Sequence, residues 1–201
     1  MINNLGLIEG DQKNFDEAAR CHQEALEIGS KSPPVEVAIW LNNLANVREQ
    51  QGDMNEAGKL HLQALPLRTN ALAPGHPAVG ASLESLARVR LKQDQPAEAQ
   101  SLAKQCLDLW EQRDADDWRA FHARSLLGGS LLAQKNYAAA EPLLRSGGEG
   151  LIQREARIPR AARPRLREAV ERVVQLYEST GDSAQAAEWR KKLAALDQPE
   201  P

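Results

Sequence analysis

Leu44 is followed thirteen residues later by Ala57, with Gln51-Gly52-Asp53 between them, and the same frame fits Leu5 with Ala18, Leu86 with Ala99, Leu127 with Ala140 and Val173 with Ala186. The five frames start 39, 42, 41 and 46 residues apart. A unit that short cannot enclose a core alone, so copies must bury their apolar stripes against one another. Apolar residues recur at three- and four-residue steps on both sides of each turn: Leu5 and Ile8, then Phe15, Ala18, Ala25, Leu26 and Ile28; in the next copy Leu41, Leu44 and Val47. That period is helical. The pattern predicts an all-α chain of five helix pairs, a single array over 1–196 with an incomplete first pair, and a disordered tail over 197–201.

Local signals refine the pairs. Ser32 is placed to cap a helix with Pro33 in its first turn, and Pro77 to start another. A second helix is expected from Tyr137 to about Leu151, in which Gly147, Gly148 and Gly150 each cost about 1 kcal/mol relative to Ala, making it the weakest packed segment. The Ala, Leu, Glu, Gln and Arg content, with few aromatics, favours helix over sheet.

A formal net charge of −3 gives no global attraction to nucleic acid or anionic membrane. Cys21 and Cys106, in distant repeats, do not form a disulfide framework, which points to a reducing, cytoplasmic setting. No apolar run reaches the roughly 18 residues of a membrane span, and the N-terminus lacks the regions of a signal peptide. The chain reads as a monomer or as a piece of a longer array.

Asn42-Asn43-Leu44-Ala45, Gln51-Gly52, Glu56-Ala57, Ala64-Leu65 and Gly75-His76-Pro77-x-Val79 resemble tetratricopeptide repeats of the long kinesin-light-chain type. Glu141-Pro142-Leu143-Leu144, Glu149-Gly150-Leu151, Glu171 to Glu178 and Ala187 to Arg190 are similar to the C-terminal repeats of some bacterial serine/threonine protein kinases, whose pattern has an aromatic where Gly148 stands. No kinase glycine loop, HRD or DFG motif accompanies them. The resemblance implies a right-handed superhelical solenoid whose first helices line a concave groove. It places Asn3, Leu7, Asn42, Asn46, Glu49, Glu84, Arg88, Leu91, Ser125, Leu132, Glu171, Gln175 and Glu178 on that groove, with Ile39 and His122 at its rim.

The groove would hold a protein or peptide ligand. Asn3, Asn42 and Asn46 offer amide donors and acceptors to an extended backbone. Arg88, beside Glu49 and Glu84, is open to two readings: it recognises a ligand carboxylate or is neutralised in place. An acidic-tail clamp needs several converging Lys and Arg residues, and Arg88 stands alone.

Other chemistries find less support. No His or Cys pair has zinc spacing, no cofactor motif is present, and the repeated offset of His22 and His61 explains those histidines better than a metal does. His122 and Ser125 share a helix face without an acid partner, and the Ser101-Leu102-Ala103-Lys104 match lacks its companion motifs. The chain is therefore read as non-catalytic, with a regulatory or substrate-recruiting segment of a larger kinase as one alternative. The other is RNA binding by the arginines between Arg154 and Arg172, a patch with no aromatic for base stacking.

Overall fold

The computed structural model describes residues 2–29 and 31–196; the tail expected over 197–201 lies outside them. Two compact units divide between Gln93 and Asp94, inside the third sequence repeat. The first contains α1 (Ile2–Asp11), α2 (Phe15–Ile28), α3 (Pro34–Gln50), α4 (Met54–Ala71) and α5 (Pro77–Lys92). The second contains α6 (Pro96–Asp114), α7 (Trp118–Ala133), α8 (Tyr137–Gln153), α9 (Arg163–Thr180) and α10 (Ser183–Ala195), with two 3-10 turns, Glu155–Arg157 and Arg160–Ala162, before α9. No strand occurs among the described residues.

Five turns of one kind separate the helices of each repeat. The residue eight after each frame position has a left-handed backbone: Lys13 (φ 64°), Gly52 (84°), Asp94 (57°), Lys135 (61°) and Gly181 (79°). Two of the five are glycine, the residue that adopts this region without steric penalty. The next residue caps the second helix in three repeats: Asp53, Asn136 and Asp182 accept from the amides of Glu56, Ala139 and Gln185. A glutamine seven after the frame position ties three repeats to the one before. Gln51 donates to Asp16 at 2.7 Å, Gln93 to the Met54 carbonyl at 2.8 Å and Gln134 to Gln100 at 2.7 Å.

Leu41, Leu44 and Val47 are buried with Ala18, Ala38, Leu60 and Ala64 in the first unit's core, as the periodicity predicts. Three expected stripe positions are not. Leu5 (47% exposed) and Ile8 (52%) face solvent because α1 packs on α2 and thinly on α3, leaving its outer face uncovered, and Ile28 (68%) is exposed as the last residue of α2. The start of α3 is also shifted by one residue: Pro33 is the cap and Pro34 the first helical residue, and the Ser32 side chain makes no capping bond.

The second unit corrects the expectation of a weak α8. Gly147, Gly148 and Gly150 are buried where α8 meets its neighbours. A Cβ on Gly147 would sit 2.8 Å from the Ser125 amide nitrogen, and one on Gly148 3.1 Å from the Trp189 ring. A Cβ on Gly150 would overlap the Phe121 ring. The helix propensity lost at these glycines is offset by close approach and by the area buried with it. The space an aromatic at position 148 would need is occupied by Trp189 of α10, which is fully buried.

Candidate functional site

Within the first unit α2 floors a trough walled by α1 and α3. Two cavities lie along it. One, of about 410 Å³, is lined by Ile2 to Asn4 of α1, Ala25, Ile28 and Gly29 near the end of α2, and Ser32, Glu36 and Trp40. The other, of about 180 Å³, is lined by Gly6, Leu7, Gly10 and Asp11 of α1, Phe15 and His22 of α2, and Asn43, Asn46, Val47 and Gln50 of α3. Between them Asn3 crosses the trough. Its Oδ1 accepts from Asn43 Nδ2 at 3.1 Å and from His22 Nδ1 at 2.9 Å.

Glycines shape this seam in opposite ways. Gly6 leaves room for the His22 ring, which would lie 2.7 Å from a Cβ there, whereas nothing stands within 4 Å of a Cβ on Gly10. Burial of the imidazole disfavours its charged form and lowers the His22 pKa from its ordinary value of 6.5. His22 is thus a neutral strut at neutral pH, with Nδ1–H fixed as the donor because a carbonyl oxygen only accepts.

The residues expected on the groove divide sharply. Asn46 is exposed at the narrower cavity, and Asn3 is held in the bridge. Asn42 carries a buried Oδ1 with no hydrogen-bond partner, and Leu91 is half-buried. Asn43, one position from the expected Asn42, joins the bridge instead, so position −1 of one frame pairs with −2 of the other. The repeated asparagines were the available signal.

Glu49 is enclosed rather than presented. Arg88 grips it with two bonds of 2.5 and 3.1 Å, His61 Nε2 donates at 3.2 Å, and Lys92 stands 4.0 Å away. Burial pushes the Glu49 carboxyl up, but the His61 hydrogen bond and the Arg88 charge outweigh it and hold the pKa below 4.5. Arg88 is therefore neutralised in place. Glu49 stands five residues after its frame position Leu44 and Arg88 two after Leu86, so the pair joins neighbouring first helices three residues out of step with the frame.

In the second unit, His122, Ser125 and Leu132 are buried, and Glu84 is buried in the first, so none of these four lies on an open wall. Leu132 belongs to the core with Leu144 and Leu151. Ser125 Oγ accepts from Arg172 at 3.2 Å, and its backbone abuts Gly147. Gly128 lets α8 close over α7, since a Cβ there would lie 2.7 Å from the Leu144 side chain.

The Arg154 to Arg172 patch is largely paired. Asp116 binds both Arg154 and Arg157, Arg167 binds Glu171 at 2.8 Å, and Arg172 binds Glu168 at 3.2 Å. Arg154 also stacks on Phe121 at 4.0 Å. These partners compete with any phosphate for the same guanidinium donors. Among the described residues no three His, Cys, Asp or Glu side chains converge as a metal site, and no helix is long and apolar enough to cross a membrane.

Residues 36–112 match a family model for tetratricopeptide repeats, and residues 1–31 match a second one of the same description. No curated protein matches the sequence. Among solved structures, the nearly identical TPR-like repeats of a kinesin light chain-like protein from Podosopora anserina are 20% identical, cover 97% of this chain and 92% of that one, and give a TM-score of 0.73. BtubC (BKLC) from P. vanneervenii is 16% identical over 100% of this chain and 82% of its own, with a TM-score of 0.77. YrrB, described as a TPR protein with an unusual peptide-binding site, is 17% identical over 98% and 84%, at 0.61. At these identities the likeness is one of fold.

Proposed function

This chain belongs to the tetratricopeptide repeat proteins, and from that premise we propose that it is a protein-interaction scaffold which holds an extended peptide segment in the α1–α2–α3 trough. The observation that carries the reading is the juxtaposition of the exposed Asn46 and Gln50 carboxamides with an apolar notch at Leu7 and bare backbone at Gly10. Carboxamides supply both donor and acceptor to a peptide unit, so they replace the water a bound backbone would lose. The notch supplies apolar burial, and a preformed trough on rigid helices limits the ordering entropy of binding. YrrB, with the same fold, has a peptide-binding site.

The test is selection of a random peptide library on the full chain, followed by binding to Gly10→Phe. That variant fills the notch from a position where a side chain meets nothing, and it removes a helical glycine, so folding should be unharmed. Selected peptides should lose at least tenfold in affinity on the variant, about 1.4 kcal/mol. Peptides that bind wild type and Gly10→Phe equally would put the site elsewhere on the chain.

A further inference from the structure

Each cavity of the trough has one charged side chain in its lining, and both are carboxylates: Glu36 in the wider and Asp11 in the narrower. Glu36 lies in the first turn of α3 and Asp11 ends α1, so the two stand at opposite ends of the trough. The surroundings share their sign. Residues 1–50 hold eight carboxylates against four Lys and Arg. Burial, and then Glu17, Glu24 and Glu9, push the Cys21 thiol up.

The rest of each lining contains an apolar wall: Ile28 and Trp40 in one, Leu7 and Phe15 in the other. Ile28 and Leu7 are exposed, so this apolar surface is open to a partner. The narrower cavity, at about 180 Å³, falls below the roughly 300 Å³ at which sites for drug-sized molecules begin. It has room for a side chain.

The spacing along α2 and α3 then sets the ligand's register. At the helical rise, the two cavities are about 8 Å apart along α1 and about 13 Å along α2 and α3. In an extended segment side chains return to one face every second residue. Anchors two apart span about 7 Å, near the α1 separation alone, and anchors four apart about 13 Å, the separation along both α2 and α3. The residue midway would face the Asn3–Asn43 hydrogen bond, where a large side chain would clash and a small polar one would fit.

Building on the peptide-scaffold reading, we infer that the trough recognises an extended basic segment. It carries two bulky apolar side chains four residues apart, a small polar residue midway, and Lys or Arg just outside each anchor. The apolar anchors enter the cavities, and the flanking cations meet Glu36 and Asp11. Asn46 and Gln50 take the backbone between the midpoint and the second anchor.

The experiment is fluorescence polarisation of the full chain with a labelled seven-residue peptide: lysine at both ends, leucine at the second and sixth positions, serine at the fourth and glutamine elsewhere. Moving the second leucine to the fourth position should weaken binding by about tenfold or more. Replacing both lysines with glutamate should weaken it by roughly tenfold, with a steep dependence on salt. The double variant Asp11→Lys with Glu36→Lys should reverse that charge preference, with its fold checked by circular dichroism. Equal binding of the two leucine spacings, or of the lysine and glutamate peptides, overturns the inference. It also falls if this peptide fails to bind while library peptides sensitive to Gly10→Phe do bind; in that case the scaffold reading stands. If library peptides bind but none is sensitive to Gly10→Phe, the trough is not the site, and both this inference and the trough reading it rests on fail.

Discussion

The α1–α2–α3 trough and the glycine seams of the α7–α10 core are built on one repeat frame, yet the trough is open and the seams at Gly147 and Gly148 are filled. In the trough, polar bridges hold the helices: Asn3 joins His22 and Asn43, and Gly10 faces empty space. In the core, glycines admit aromatic rings, with Phe121 lying over Gly150 and Trp189 over Gly148. Tyr177 completes the arrangement by donating to Glu141 at 3.0 Å, and burial together with that carboxylate raises its pKa to about 12. The repeat frame sets where helices run, and side-chain size decides whether the space between them is closed or left as a site. A glycine has no fixed meaning in such a frame; its neighbour across the seam determines it.

The largest effect that would separate the two regions is expected from Trp189→Ala. The ring is fully buried against Val173 and Gly148, so its removal should destabilise the second unit by about 3–5 kcal/mol, read by denaturant unfolding. Hydrogen exchange should locate the loss in α8–α10. Gly148→Tyr should also destabilise, since Trp189 holds the space; a more stable tyrosine variant would contradict the packing described.

A second pair of variants tests the glycines directly. Gly147→Ala drives a methyl against the backbone of α7, which cannot rotate away, and should cost about 1–3 kcal/mol despite the better helix propensity. Gly10→Ala meets nothing and should stabilise by up to about 1 kcal/mol. Thermal melts of both, side by side, give opposite signs if the open and filled seams differ as described. The same sign for both would erase the distinction.

Much of the fold was legible because a thirteen-residue spacing, repeated, leaves one way to pair the helices. The turns were half legible: Gly52 stood out, but Lys13, Asp94 and Lys135 adopt the same left-handed backbone without any compositional mark. The glycines of α8 were read as weakness because propensity is local, while Phe121 and Trp189, which use them, come from other helices. Arg88 was open to two readings from sequence, and its two bonds to Glu49 select neutralisation in place. Leu5 was placed correctly in the frame but is not covered, since the frame says nothing of which faces have a neighbour. Asn46 was placed on the groove by the repeat resemblance, whereas the bridge through Asn43 depends on how α1 packs against α3.

Smaller than these is a pH effect confined to the open region. His22 is kept neutral by burial, so its folded pKa lies below 6.5. The unfolded chain then binds more protons as pH falls through that value, and stability, complete above 6.5, declines as pH drops toward the folded pKa. The lowered Glu49 pKa acts in a separate window, below 4.5. His22→Gln, which retains a donor for Asn3, should flatten the slope of stability against pH just below 6.5. An unchanged slope would show that the imidazole is not the titrating group.

The smallest expected effect uses the one feature the two regions share, the left-handed turn eight residues into each frame. Lys135 occupies it between α7 and α8 at φ 61°, and Gly181 occupies it between α9 and α10 at φ 79°. Both turns close the same way: the amide after the left-handed residue reaches back to Leu131 in the first and Tyr177 in the second. A non-glycine residue in this region is strained by about 1–2 kcal/mol, while glycine loses more entropy on folding, by roughly 0.5–1 kcal/mol. Lys135→Gly should therefore raise stability by at most about 1 kcal/mol, and Gly181→Ala should lower it by a similar amount. Denaturation midpoints of the pair at constant slope measure this directly. If Lys135→Gly instead destabilises, the lysine side chain contributes something beyond the turn, and backbone strain does not govern that position.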